Sequence, residues 1–237
     1  MKVIAIDSSG LVASVALMED DTMIAEYTMN YKKTHSQTLL PMLEQMAEMV
    51  ELDKSTVDAV AVAAGPGSFT GLRIGSATAK GLGLAWGVPV ISVPTLDALA
   101  YNLYGTDKVV CPMMDARRNQ VYTGVYAWDD NDMIAIKEQC AVSVEEIATY
   151  LNSLGKEVIF LGDGVPVYKE MLSQLLTVKY SFAPVHLSRQ RAGALASLAM
   201  KLYAEGKYET AAEHQPEYLR LSQAERERNE REAGQGV

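Results

Sequence analysis

The residues best suited by type to do chemistry stand where short apolar runs stop. Asp7, Ser8 and Ser9 follow Val3–Ile6, and Gly65-Pro66-Gly67-Ser68-Phe69-Thr70-Gly71-Leu72-Arg73 follows Val57–Ala64. Asp163 sits between Gly162 and Gly164 after Val158–Leu161. A nucleotide-binding cleft places its carboxylates and phosphate loops at such strand ends. In the long stretch, glycine permits positive φ and close backbone approach, Pro66 fixes one φ, and Ser68 or Thr70 is able to cap a following helix. N–H groups left unpaired by such a loop hold an anion, a partner's backbone turn, or water.

A working phosphate site also needs a cation near the first turn, and Ser8–Ala16 contains no Lys or Arg. No downstream Gly-Gly pair is present to seat an adenine. Asp7, Ser8, Ser9, Gly65, Gly67, Ser68 and Asp163 therefore read as vestigial cofactor positions, with turns held by Asp and Gly as the plainer alternative.

Other chemistry-bearing residues are scattered. His35, His186 and His214 share no short metal-pair spacing, so no metal site is expected. His35 precedes a helix, where a solvated or capping role is the simple reading. No serine stands in a nucleophile elbow and neither Cys111 nor Cys140 has a neighbouring base, so no catalytic residue is assigned. The cysteines lack CxxC spacing and read as free thiols of a reducing compartment. Arg117, Arg118 and Asn119 share a predicted hairpin turn, able to meet phosphate or RNA, though charged turns are common surface features. Arg73, at the expected first turn of a helix, is disfavoured by the dipole unless an anion pairs with it.

The elements that must position these groups follow from periodicity. Val3–Ile6, Val12–Met18 and Met23–Met29 read as three antiparallel strands. Leu39, Leu40, Leu43, Met46, Ala47 and Val50 recur at helical steps over 36–51. Val57–Ala64 is a strand, Ile74–Ala85 a helix, Val88–Val93 a strand and Thr95–Tyr104 a helix capped at Thr95. The order recurs with strands at Val109–Met114, Val121–Trp128 and Met133–Ala141. A helix over Ser143–Leu154, with Ser143 as cap and Glu146 at the capping-box position, follows. Then come strand Val158–Leu161 and helices over Val167–Leu176 and Ala192–Glu205. The pattern is that of two α/β lobes related by duplication.

The helix over Ile74–Ala85 is small on nearly every face, through Gly75, Ser76, Ala77, Ala79, Gly81, Gly83 and Ala85. Each interior Gly costs about 1 kcal/mol relative to Ala. Small residues let another helix approach, so this helix and the Met-rich one before it form either the lobe's core or a docking surface.

At 237 residues and 49% hydrophobic, the chain is able to build a substantial core. Its formal charge of −9 argues against broad adhesion to nucleic acid or anionic membrane. The start meets a carboxylate at Asp7, too early for a signal peptide, and no apolar run approaches the ~20 residues of a membrane helix. A soluble cytoplasmic protein is expected.

Ile4-Ala5-Ile6-Asp7-Ser8-Ser9, Gly65–Gly75 (GPGSFTGLRIG), Asp115-Ala116-Arg117-Arg118 with Val121-Tyr122, and Pro216-Glu217-Tyr218-Leu219-Arg220 together resemble the TsaB (YeaZ) family. The resemblance implies an actin/Hsp70/sugar-kinase (ASKHA) fold with duplicated βββαβα lobes over 1–104 and 105–223, followed by a charged, exposed tail over 224–237. It also implies a role in making N6-threonylcarbamoyladenosine (t6A) at position 37 of tRNAs that read ANN codons. Family members are non-catalytic partners of a TsaD-type transferase, joined by a TsaE-type ATPase, and the tRNA is reached through the complex. ATP and metal are then expected on the partner subunits, with no cofactor bound by this chain alone. The transferase's metal-binding histidine pair aligns with Thr95 and Leu99 here, which marks a pseudo-enzyme.

The expected partner face comprises Leu39, Leu43 and Met46 of the first helix with Arg73, Gly75, Ser76, Ala79, Lys80 and Gly83 of the second. It would pair two copies of this chain when the partner is missing. The alternative, on fold analogy alone, is an autonomous ATP-dependent phosphotransferase or metallopeptidase-like enzyme.

Overall fold

Strands β1 (Lys2–Asp7) and β4 (Ala59–Gly65) are apolar nearly end to end, the signature of strands covered on both faces, and they lie parallel at the centre of the first sheet. Their side chains alternate in size as well as side. Val3, Ala5, Ala59 and Ala61 face one cluster, while Ile4, Ile6, Val60 and Val62 face the other. The structure, a computed structural model, describes residues 1–219. Arg220 and the tail expected over 224–237 lie outside the described residues.

The first sheet runs β3-β2-β1-β4-β5, with β2 at Ala13–Glu19, β3 at Thr22–Met29 and β5 at Val90–Pro94. Between its strands come α1 (His35–Met49) and α2 (Phe69–Trp86), and α3 (Thr95–Tyr101) follows β5. The second sheet repeats the plan with β6 (Val109–Asp115), β7 (Gln120–Asp129), β8 (Asp132–Ser143), β9 (Val158–Leu161) and β10 (Tyr180–Phe182). Its order, β8-β7-β6-β9-β10, is that of the first sheet element for element. Helices α4 (Val144–Leu154), α5 (Gly164–Leu175) and α6 (Ala192–Ala204) complete the duplication. The element order is βββαβαβα twice over, the duplicated two-lobed plan expected from the sequence.

The second copy does not keep its last helix. Ala192, Leu195, Ala196 and Ala199 of α6 pack on Val3, Ala5, Ala59 and Ala61 of the first sheet, opposite the face covered by α1 and α2. Small residues on both sides of that contact bring helix and sheet close. The start of α6 is tied down by Ser14 Oγ, which accepts from Ala192 N, and by the Glu26 carboxylate, which accepts from Gly193 N at 2.9 Å and ion-pairs with Arg191. Helix α3 lies between the lobes, where Leu96, Leu99 and Leu103 meet Val110, Met114 and Tyr126.

Several local readings change. Helix α2 starts at Phe69 rather than Ile74, because Gly71 and Arg73 are helical and Ser68 is its cap. Thr95 does not cap α3, whose N-cap is Pro94. Its hydroxyl accepts from Gly65 N instead, at 3.2 Å. Strand β10 was not anticipated. Ser143 caps α4 as expected, accepting from Glu146 N at 3.1 Å.

Candidate functional site

The carboxyl ends of the central strands from both lobes open on a cleft of about 790 Å³, lined by Ser9 and Gly10 on one wall and by Asp115, Arg117 and Asp163 on the other. Gly67–Leu72 forms its floor beside His35. This is where the fold would hold a nucleotide, and the residues there are largely committed to one another.

Asp7 ends β1 with its side chain fully buried, and its Oδ1 accepts from Ser9 N at 2.9 Å and from Ser9 Oγ at 2.6 Å. Burial pushes its pKa up to about 6, against the lowering effect of those Ser9 bonds. Ser8 Oγ donates to the Gly71 carbonyl at 2.8 Å, and Ser68 N donates to the Ser9 carbonyl at 2.7 Å. The β1–β2 turn and the start of α2 are thus sewn together. The glycines explain how they come so near. A Cβ on Gly67 would stand 2.4 Å from Ser9 O, one on Gly71 2.0 Å from Ser8 O, and one on Gly75 2.6 Å from Ser8 Oγ. Gly65 has φ +132° and would collide with Glu217 O.

On the facing wall, Asp163 Oδ1 accepts from Asp115 N at 3.1 Å, and burial raises its pKa. The Asp115 carboxylate accepts in turn from Arg117 N and the Tyr168 hydroxyl. Both acidic positions singled out from the sequence therefore serve as turn acceptors. His35 lies at the cleft edge and donates Nε2–H to the Gly10 carbonyl at 2.9 Å. His186 is exposed on a 3-10 turn and His214 is buried far from both. Among the described residues no cluster of His, Cys, Asp or Glu is arranged to hold a metal.

Residues 205–219, whose role the sequence did not disclose, run back over the first lobe. Glu209 and Val90 exchange backbone hydrogen bonds at 2.9 Å, and Lys80 Nζ donates to the carbonyls of Ala212 and His214 at 2.9 Å each. Glu217 N donates to Ala64 O, and the Tyr218 ring packs at a tilt against Phe69, over which the Arg73 guanidinium also lies. Ser92, His214 and Glu209 meet beneath this strap. Their geometry is not that of a proton relay, since serine and carboxylate both approach Nδ1, at 2.8 Å, and neither approaches Nε2.

Most residues of the expected partner face are buried within this chain, Arg73 and Lys80 excepted. Leu39, Leu43 and Met46 cover the chain's own first sheet, with Ala79 beside them. Gly75 and Ser76 seat α2 on its own lobe, and Gly83 meets Ala211 of the strap. Arg73 reaches the Tyr218 hydroxyl and Lys80 holds the strap. The physical reason is plain: the apolar stripe of each helix is needed by its own sheet. What α2 leaves free is its outer stripe, where Ala77, Gly81 and Leu84, the last at 64% exposure, recur at helical spacing, while Leu40 at 56% and Met49 at 73% are exposed on opposite sides of α1.

Among the described residues no helix is long and apolar enough to cross a membrane. Residues 22–228 match the family model described as TsaD, tRNA N6-adenosine threonylcarbamoyltransferase. The tRNA threonylcarbamoyladenosine biosynthesis protein TsaB of Bacillus subtilis is 33% identical over 95% of this chain and 96% of its own length. Its Escherichia coli namesake is 30% identical over 93% and 95%. The solved structure of YeaZ from Pseudomonas aeruginosa superposes with a TM-score of 0.77 at 28% identity, covering 92% of this chain and 99% of that one. Alike nearly end to end to proteins of that name, with the same two-lobed fold, the chain belongs to the TsaB (YeaZ) family.

Proposed function

We propose that this chain is a non-catalytic subunit of the assembly that makes t6A at position 37 of ANN-decoding tRNAs, and that it docks a TsaD-type transferase and orders it for transfer. The observation that carries the non-catalytic part is the closed joint at the nucleotide position. Gly71 stands where a Cβ would lie 2.0 Å from Ser8 O, and Asp7 is turned inward onto Ser9. The positions aligned with the transferase's histidine pair are likewise committed: Thr95 accepts from Gly65 N, and Leu99 is buried between the lobes. ATP and metal chemistry then belongs to the partner subunits, including a TsaE-type ATPase.

Docking through Ala77, Gly81 and Leu84 fits the free outer stripe of α2, because small exposed residues let a partner helix approach closely. The same face serves a homodimer when the transferase is missing. Depleting this protein and measuring tRNA nucleosides by mass spectrometry should show loss of t6A; unchanged t6A would overturn the assignment. Gly81→Trp, at a site where nothing lies within 4 Å of a Cβ, should abolish co-purification with the transferase without lowering the isolated chain's melting temperature. Calorimetry of the chain alone with ATP and Mg²⁺ should show no micromolar binding, which separates this reading from an autonomous phosphotransferase.

A further inference from the structure

The β6–β7 turn breaks a local rule for little return among the described residues. Arg117, Arg118 and Asn119 have φ of 67°, 57° and 56°, so consecutive residues bearing Cβ atoms adopt the left-handed conformation. Asn tolerates that region, whereas each Arg raises the free energy of the turn. Glycine or asparagine would build it more stably. The backbone is nevertheless held there: Gln120 N donates to Arg117 O, Ala116 N to Gln120 O, and Val144 N to Asn119 O.

The arginines are not retained for internal contacts either. The Arg117 side chain is 85% exposed and, among the described residues, reaches only the Asp115 carboxylate, at 3.6 Å. Among the described residues no hydrogen bond or ion pair engages the exposed Arg118 guanidinium. Both side chains border the groove beside Tyr168 and Met171 of α5, with Asp115 and Glu170 as acidic neighbours, and Arg117 also borders the interlobe cleft. In a chain of formal charge −9, a polyanion would be repelled by most of the surface, so any contact with one must be local and strongly cationic.

We infer that the Arg117–Arg118–Asn119 turn contacts the phosphodiester backbone of RNA, the class of polyanion that the proposed t6A assembly acts on; the inference rests on that reading. Guanidinium groups bind phosphate oxygens in a bidentate fork, and an Asn amide adds donors to phosphate or ribose. Such contacts set position and register and carry no base specificity.

The test is the variant Arg117→Gly with Arg118→Gly, because glycine adopts positive φ freely and removes charge and strain together. Its melting temperature should equal or exceed that of the wild type. The t6A assembly reconstituted with each chain is then titrated with tRNA over roughly 50 to 200 mM salt. The slope of log K against log salt should flatten by about 0.7 to 1.8, one or two phosphate contacts, with several-fold weaker binding at low salt. Arg117→Lys with Arg118→Lys should retain most of the slope. A glycine variant that matches the wild type in affinity and slope overturns the contact alone. A wild-type assembly that binds no tRNA overturns the functional reading and the contact with it. A glycine variant that loses the transferase subunit on co-purification assigns the arginines to a protein partner and overturns the RNA contact as well.

Discussion

Gly71→Ala and Gly81→Ala place the same methyl group on the same helix and should move stability in opposite directions. At Gly81 the new Cβ meets nothing within 4 Å, so only helix propensity changes. That gain is about 1 kcal/mol, or roughly 2 to 4 °C in Tm for a chain of this size. At Gly71 the new Cβ lies 2.0 Å from the Ser8 carbonyl oxygen, against about 3.4 Å for an ordinary contact, so the β1–β2 turn must retreat by roughly 1.4 Å. A shift of that size breaks the bond from Ser8 Oγ to Gly71 O, at 2.8 Å, and that from Ser68 N to Ser9 O, at 2.7 Å. Two hydrogen bonds at about 1 kcal/mol each, plus about 1 to 3 kcal/mol of overpacking, less about 1 kcal/mol of propensity, leave a net loss of about 2 to 4 kcal/mol. Urea unfolding of the two variants beside the wild type measures both changes. A Gly71→Ala protein as stable as Gly81→Ala would refute the closed joint and return the loop to the anion-cradle reading.

Asp7 links the same joint to pH. Its folded pKa of about 6 lies above the ordinary 3.8, so the folded state disfavours ionisation. The cost is absent below about pH 4, grows as pH rises through 6, and levels off near 3 kcal/mol. Asp7→Asn keeps an acceptor for Ser9, so its stability relative to wild type should improve between pH 4 and pH 8; a pH-independent difference would count against the buried carboxylate. Lys80→Met keeps the aliphatic stem but loses both donors to the strap carbonyls. Amide exchange at Glu209 and Glu217 should accelerate about tenfold or more while β1 amides are unaffected, and unchanged exchange would show that the strap is held without it.

Periodicity carried the architecture because nearly every element has one face to bury. The short apolar runs of β1 and β4 and the helical steps of α1 placed these elements within a few residues, and Val158–Leu161 has the expected bounds. The misses have physical causes. The conformational freedom of Gly71 points to a loop, but the residue is helical and serves close approach, a property only the folded neighbour reveals. Strand β10 is three residues long and carries no period to detect. The stripe of Leu39, Leu43 and Met46 was legible as apolar, yet sequence does not say whether such a stripe faces its own sheet or a partner. Ser92 and His214 lie 122 residues apart, a distance across which no local signal connects them.

The surface of α2 shows how own-fold and partner demands divide on one helix. Gly71 and Gly75 are required by Ser8, and Gly83 and Lys80 by the strap, so their side chains are explained within the chain. Gly81 is not, since an alanine there would fit and would stabilise the helix. The Arg117–Asn119 turn has the same character, a departure from local preference whose arginine side chains make, among the described residues, one ion pair, Arg117 with Asp115 at 3.6 Å. Both features face outward, one on the free side of α2 and the other at the cleft edge on the opposite lobe. If folding alone had set these residues, repairing them with alanine or glycine would be harmless everywhere. The t6A reading requires a different result: repair that leaves the isolated chain as stable or more so, and a defect that emerges only when transferase and tRNA must be gathered together.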